Sequence, residues 1–200
     1  MKKLISLLLL FTFTHIMMAQ EKGKTPGLPY YEIPEAAGEY TAGSVASRMI
    51  DGLGFRYRWA TENLREEDLQ YQPGDNARSV LQTIDHILNL SRIILNTALK
   101  EPTDFTRKPP VLTYEEKRKE TLENLMKASG VLRKEVNLEE FKIQLVLPGG
   151  TTEYPFWNNI NGPIADAIWH SGQIASFRRS SGNSISPDVQ FLQGTIKNKP

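Results

Sequence analysis

Asp166 and His170 stand four residues apart in N-G-P-I-A-D-A-I-W-H-S-G-Q-I-A-S-F-R-R, residues 161–179, a stretch that reads as helix. At that interval a carboxylate and an imidazole project from one helical face, one turn apart. This is the spacing that a metal chelate on a helix needs. Two ligands leave most of a coordination shell empty, and His86 is the candidate for a third: of the chain's 3 histidines, His15 falls in a segment that reads as a signal peptide. Two imidazoles and one carboxylate suit a divalent ion such as Zn, Ni, Fe or Mn, with positions left open for water or substrate. The same residues admit a plainer role, in which Asp166 orients His170 or both are satisfied polar groups at a helix surface.

The elements that must position these residues are helices. Val45, Met49, Leu53, Tyr57, Ala60 and Leu64 recur at helical spacing after Thr41 or Ser44, either of which can cap, and this first helix should end between Leu64 and Asp68. Gln72-Pro73-Gly74-Asp75-Asn76 is a turn by composition. Ser79 caps a second helix that runs to about Leu99, apolar on most sides and therefore central, with His86 on the flank of Leu90 and Ile93 and Asp85 pointing elsewhere. The proline-rich connection from Glu101 to Leu112 crosses the fold. Thr113 and Glu116 then form a capping-box pair opening a third helix, with Tyr114, Thr121, Leu122, Leu125, Ser129, Leu132 and Val136 inward. Phe141, Ile143, Leu145 and Leu147 have the period of a strand, and Pro148-Gly149-Gly150 turns the chain toward Thr152, which predicts a small β-hairpin. The last helix spans Phe156 to Ser180 and should bend at Gly162-Pro163; Asp166, His170, Gln173 and Phe177 lie on one face, Ile164, Ile168 and Ala175 on the next.

The flanks are of a different character. Lys2 and Lys3, the apolar run from Leu4 to Phe13 and Met17-Met18-Ala19 make a secretory signal peptide, residues 1–19, cleaved after Ala19; the run falls short of the ~20 residues that span a bilayer, so no membrane span should remain after cleavage. The mature chain is expected to be secreted or periplasmic. Residues 20–40 read as an extended leader that lies over the domain or is solvated, with Tyr30, Tyr31 and Ile33 apolar enough to dock. Residues 41–183 make the domain and 184–200 a tail of low apolar content. With 24 basic against 23 acidic residues there is no field to hold nucleic acid, and with no cysteine there is no disulfide, thiolate ligand or cysteine nucleophile.

Arg78-Ser79-Val80 opening a helix that contains His86, followed far downstream by Asp166-x-x-x-His170-Ser171-Gly172-Gln173-Ile174, resembles the DinB family of DinB/YfiT-like metalloenzymes over roughly residues 42–183. The resemblance implies an all-α, up-and-down four-helix bundle with the small hairpin before the last helix. The family's second-helix histidine falls on His86, the second histidine of its last-helix pair on His170, and its Gly-Gln on Gly172 and Gln173, which makes Gln173 an outer-shell residue. Asp166 stands where the family usually has the first histidine, and Ser171 where it often has arginine. A carboxylate is a harder ligand than imidazole, so the site leans to Fe, Mn or Zn over copper. One ion per chain acting on a small molecule is implied, in thiol-dependent S-transfer or metal-assisted hydrolysis. The alternative is a non-catalytic bundle without metal, a ligand-binding or envelope interaction protein that could form a homodimer across exposed helix faces.

Other residues invite chemical readings. Arg178 and Arg179 suit the negative end of the last helix's dipole, with an anionic-substrate clamp as the other account. Trp59, Trp157 and Trp169 are expected to pack, and pocket roles remain open to them; Asn158, Asn159 and Asn161 can satisfy backbone at the bend or support a site. No Gly-x-Ser-x-Gly elbow and no phosphate-binding glycine loop occurs.

Overall fold

The computed structural model describes residues 27–197; the expected signal peptide lies outside them. The chain is helix-rich with a small amount of sheet. Three of its long helices begin at reciprocal side-chain caps. Thr41 and Ser44 open α1 (Ala42–Ala60), Ser79 and Gln82 open α3 (Val80–Leu99), and Thr113 and Glu116 open α4 (Tyr114–Leu132). Each box satisfies two of the four N–H groups a helix start leaves free, and such a cap stabilises by about 1 kcal/mol.

The first helix stops at Ala60, earlier than its apolar spacing suggests. Thr61 turns its hydroxyl back to the Tyr57 carbonyl and Asn63 takes a left-handed φ of 53°, so the chain restarts as a separate short helix, α2 (Glu66–Gln70). Val136, expected inward, is 75% exposed because α4 has already ended at Leu132.

The chain then enters a three-stranded sheet. Within the proline-rich connection, β1 (Thr103–Asp104) pairs parallel with β2 (Ile143–Leu147), which pairs antiparallel with β3 (Gly150–Tyr154), Ile143 opposite Tyr154 and Leu147 opposite Gly150. Gly150 has a φ of +128°, which a residue with a side chain rarely adopts.

The last long segment is not a bent α-helix. A short helix α5 (Phe156–Asn159) passes into a π-helical turn (Ile160–Ile164) that holds Pro163, and then into α6 (Ala165–Ser180). Pro163 offers no N–H and its ring crowds the carbonyls a turn behind it, and the wider π turn makes room for both defects. One extra residue in a turn also rotates everything after it by about 100° relative to an unbroken helix.

α1 packs on α4 and α6, and α3 packs on the same two helices from the other side. Ile50, Leu53, Tyr57, Ile84, Ile87, Ile94, Leu122, Leu125, Ile164 and Ile174 are fully buried in the shared core. Burying such a side chain contributes roughly 1.5–3 kcal/mol. The buried stripe of α6 is Ala167, Ser171, Ile174 and Arg178, continuing Ile164 of the π turn, while Ile168 and Ala175 are only half-buried.

The described part of the leader and the tail belong to this body. Tyr30, at φ 65°, is 5% exposed, lies against Gly54 and donates its hydroxyl to Asp51 Oδ1 at 3.2 Å; Arg58 donates to the Leu28 carbonyl. The tail pairs β4 (Val189–Gln190) with β5 (Thr195–Ile196), and Val189 and Ile196 cover Phe55. Few apolar residues suffice there because they meet a fully buried ring on α1.

Candidate metal centre

His86 leaves α3 beside its buried face, and its neighbour Asp85 turns to α4, where its Oδ1 meets Lys117 Nζ at 2.7 Å. Asp166 sits in the first turn of α6, directly after the π turn, and His170 one turn further on. Without the extra residue of the π turn, the face carrying both would be rotated away from α3. With it, the three side chains converge: His86 Nε2 to Asp166 Oδ2 is 2.9 Å, His170 Nε2 to Asp166 Oδ1 is 3.3 Å, and the two imidazole rings meet edge to face at 4.7 Å. One ligand atom from each of the three lies within 4.8 Å of the others. All three are half-buried, and the Asp166 side chain, 40% exposed, is more open than those of His86 at 28% and His170 at 12%.

Gln173 sets the state of His170. Its amide oxygen accepts from His170 Nδ1 at 2.6 Å, which puts the ring's proton on Nδ1 and leaves the Nε2 lone pair facing the carboxylate. Two lone pairs facing each other at that distance repel unless a positive charge lies between them. A proton or a metal ion supplies one, and a carboxylate flanked by two imidazoles is a donor set that a divalent transition metal accepts. The residues fit the ion, and this group could hold one.

No family model, curated protein or solved structure matches the chain.

A cleft of about 630 Å³ opens beside the cluster, with Asp166 in its wall. Leu90, Ile93, Ile143 and Trp169 give it apolar sides, and Asn158 and Asn161 supply amides. Trp169 is 71% exposed at this cleft, and Trp157 is 73% exposed at a second apolar groove beside Tyr40 and Met49. Trp59 alone of the three packs as expected, against Phe55 and Tyr31. Asn159 is fully buried, and its amide has no hydrogen-bond partner among the described residues.

Arg178, in the last turn of α6, also reaches across to another helix. It is buried, donates to the carbonyls of Trp59 and Ala60 at 2.9 and 3.2 Å, and so caps the end of α1, while its other nitrogens hold Asn183. Next to it, buried Asp68 accepts from Arg65, Ser181 and Asn183, and these bonds, Arg65's first, hold its carboxyl well below the usual range. A second buried carboxylate, Asp51, accepts from Ser129 at 2.5 Å and from Tyr30; burial raises its pKa. Sequence reasoning passed over both. The available signal was position: Asp51 falls between Ile50 and Leu53 on the buried face of α1, where an acid needs a partner.

Proposed function

We propose that this chain is an exported DinB-like metalloprotein whose His86, Asp166 and His170 hold one divalent transition metal, Zn, Fe, Mn or Ni, and act with it on a small molecule. The observation that carries the reading is the convergence, across 80 residues of sequence, of two imidazoles on one carboxylate, with one imidazole already held in the metal-binding tautomer by Gln173. The packing of α1 and α3 each on both α4 and α6, with the β2–β3 pair ahead of the last helix, supports a four-helix bundle; the consecutive helices α1 and α3 lie across it from each other, where simple up-and-down order would set them side by side. Export rests on the signal-like residues 1–19, and no helix among the described residues is long and apolar enough to cross a membrane.

When bound, such an ion supplies Lewis acidity, lowering the pKa of a thiol or water and so providing a nucleophile at neutral pH. Thiol-dependent S-transfer and metal-assisted hydrolysis both use that property. Around it, Gln173 orients His170 with Nε2 toward the site, Asp166 contributes the negative charge, and the cleft beside Asp166 receives the substrate.

The test is elemental analysis of the mature chain, purified without a histidine tag and dialysed after exposure to excess metal. About one equivalent is expected in the wild type and none in His86→Ala or His170→Ala, with the helical circular dichroism of the variants unchanged. Equal metal in all three samples, or none in any, refutes the site. The second outcome favours a non-catalytic ligand-binding or envelope interaction bundle, a reading to which the exposed Trp157 and Trp169 lend support.

A further inference from the structure

The cleft at the metal cluster restricts what can reach it. Asp166 is both a ligand of the cluster and a wall of the cleft, and its side chain is more open than that of either histidine, so the cleft is a route to the ion. Its large apolar side chains come from three elements: Leu90 and Ile93 on α3, Ile143 and Leu145 on β2, Trp169 on α6. Among the described residues no lysine, arginine or histidine lines it, and the one charged residue that does is Asp166. A phosphate or carboxylate carried on the part of the molecule that lies in the cleft, away from the ion, would give up its hydration and find no cation in the walls. The other polar side chains of its lining, Asn158, Asn161 and Tyr154, carry uncharged donors and acceptors. Trp169, 71% exposed, lines the cleft with an indole that is available to stack.

We infer that the substrate is an uncharged, ring-bearing small molecule, which stacks its apolar ring on Trp169 and presents a thiol, hydroxyl or carbonyl to the site at Asp166. This rests on the metal reading above and goes beyond it in excluding substrates that place a carboxylate or phosphate in the cleft, among them thiols that carry several carboxylates.

The test uses hydroxamic acids, which share one metal-binding group and differ in what they carry. Affinities of the zinc-loaded mature chain are measured by calorimetry for acetohydroxamic, benzohydroxamic and 4-carboxybenzohydroxamic acid, each relative to its affinity for free zinc. Benzohydroxamic acid is expected to bind at least about tenfold tighter than acetohydroxamic acid, from the apolar area its ring buries. The 4-carboxy compound should lose most of that gain. Trp169→Ala, a change at an exposed side chain, should reduce the advantage of the ring about three- to tenfold while the bound zinc stays at one equivalent. Zinc bound but all three acids held equally, or the carboxylated acid held best, overturns the inference and leaves the metal site standing. Absence of zinc from the wild type overturns both.

Discussion

Replacing Gln173 by leucine removes the acceptor of His170 Nδ1 and little else, since Gln173 is only partly buried and leucine is similar in size. The bond is short, 2.6 Å, and the His170 side chain is 12% exposed, so a donor left without its partner there has limited access to water. Leaving such a donor unsatisfied costs roughly 1–3 kcal/mol. Loss of the group that orients a metal-bound imidazole typically lowers metal affinity by about 10- to 100-fold, which at ~1.4 kcal/mol per decade spans nearly the same range. Because some water does reach the ring, the lower part of that range is expected: a zinc dissociation constant raised about 10- to 30-fold in Gln173→Leu. Gln173→Glu keeps an oxygen at the same place and adds charge, so its affinity should match or exceed the wild type. Both are read by competing the protein against a chromophoric chelator for zinc, with melting of the metal-free proteins as the check on folding. A zinc affinity within twofold of wild type for Gln173→Leu would show that the 2.6 Å contact does not hold the ligand, and the tautomer argument for His170 would fall with it.

Two further predictions concern the frame around the site. Asp68, buried and with a depressed pKa, contributes stability that is complete above the ordinary carboxylate range and is lost as pH falls through the folded value. Asp68→Ala should therefore cost about 2–3 kcal/mol in urea unfolding at pH 7, and the gap between variant and wild type should narrow below about pH 4; a gap that does not change with pH refutes it. At Gly54 a Cβ would overlap the Tyr30 ring, whereas at Gly52, two residues away on the same helix, it would meet only the flexible end of Arg56 at 3.4 Å. Gly54→Ala should lose about 2–3 kcal/mol and expose the segment around Tyr30 to proteases, while Gly52→Ala should be neutral or gain up to about 1 kcal/mol; similar behaviour of the two would remove the docked leader from the picture.

The sequence by itself determined what depends on neighbours within about one turn. The helix starts at Thr41, Ser79 and Thr113 are legible because each cap is a pair of hydrogen bonds between residues three apart. The shared face of Asp166 and His170 is legible for the same reason, as is the break that Pro163 makes in the last helix. Reading a bend there missed the π turn, whose extra residue rotates the helix after it. Only the tertiary structure decided that His86 lies 2.9 Å from Asp166, since that distance follows from the packing of α3 on α6 and from that rotation. The roles of Arg178, Tyr30 and Asp51 were likewise beyond local rules. Arg178 caps a helix 118 residues away, Tyr30 fills the space left by Gly54, and Asp51 takes its hydrogen bonds from the leader and α4. Side-chain chemistry and local spacing name the candidates for a site; the rotation and approach of whole helices, set by many small packing contacts, select the ones that meet.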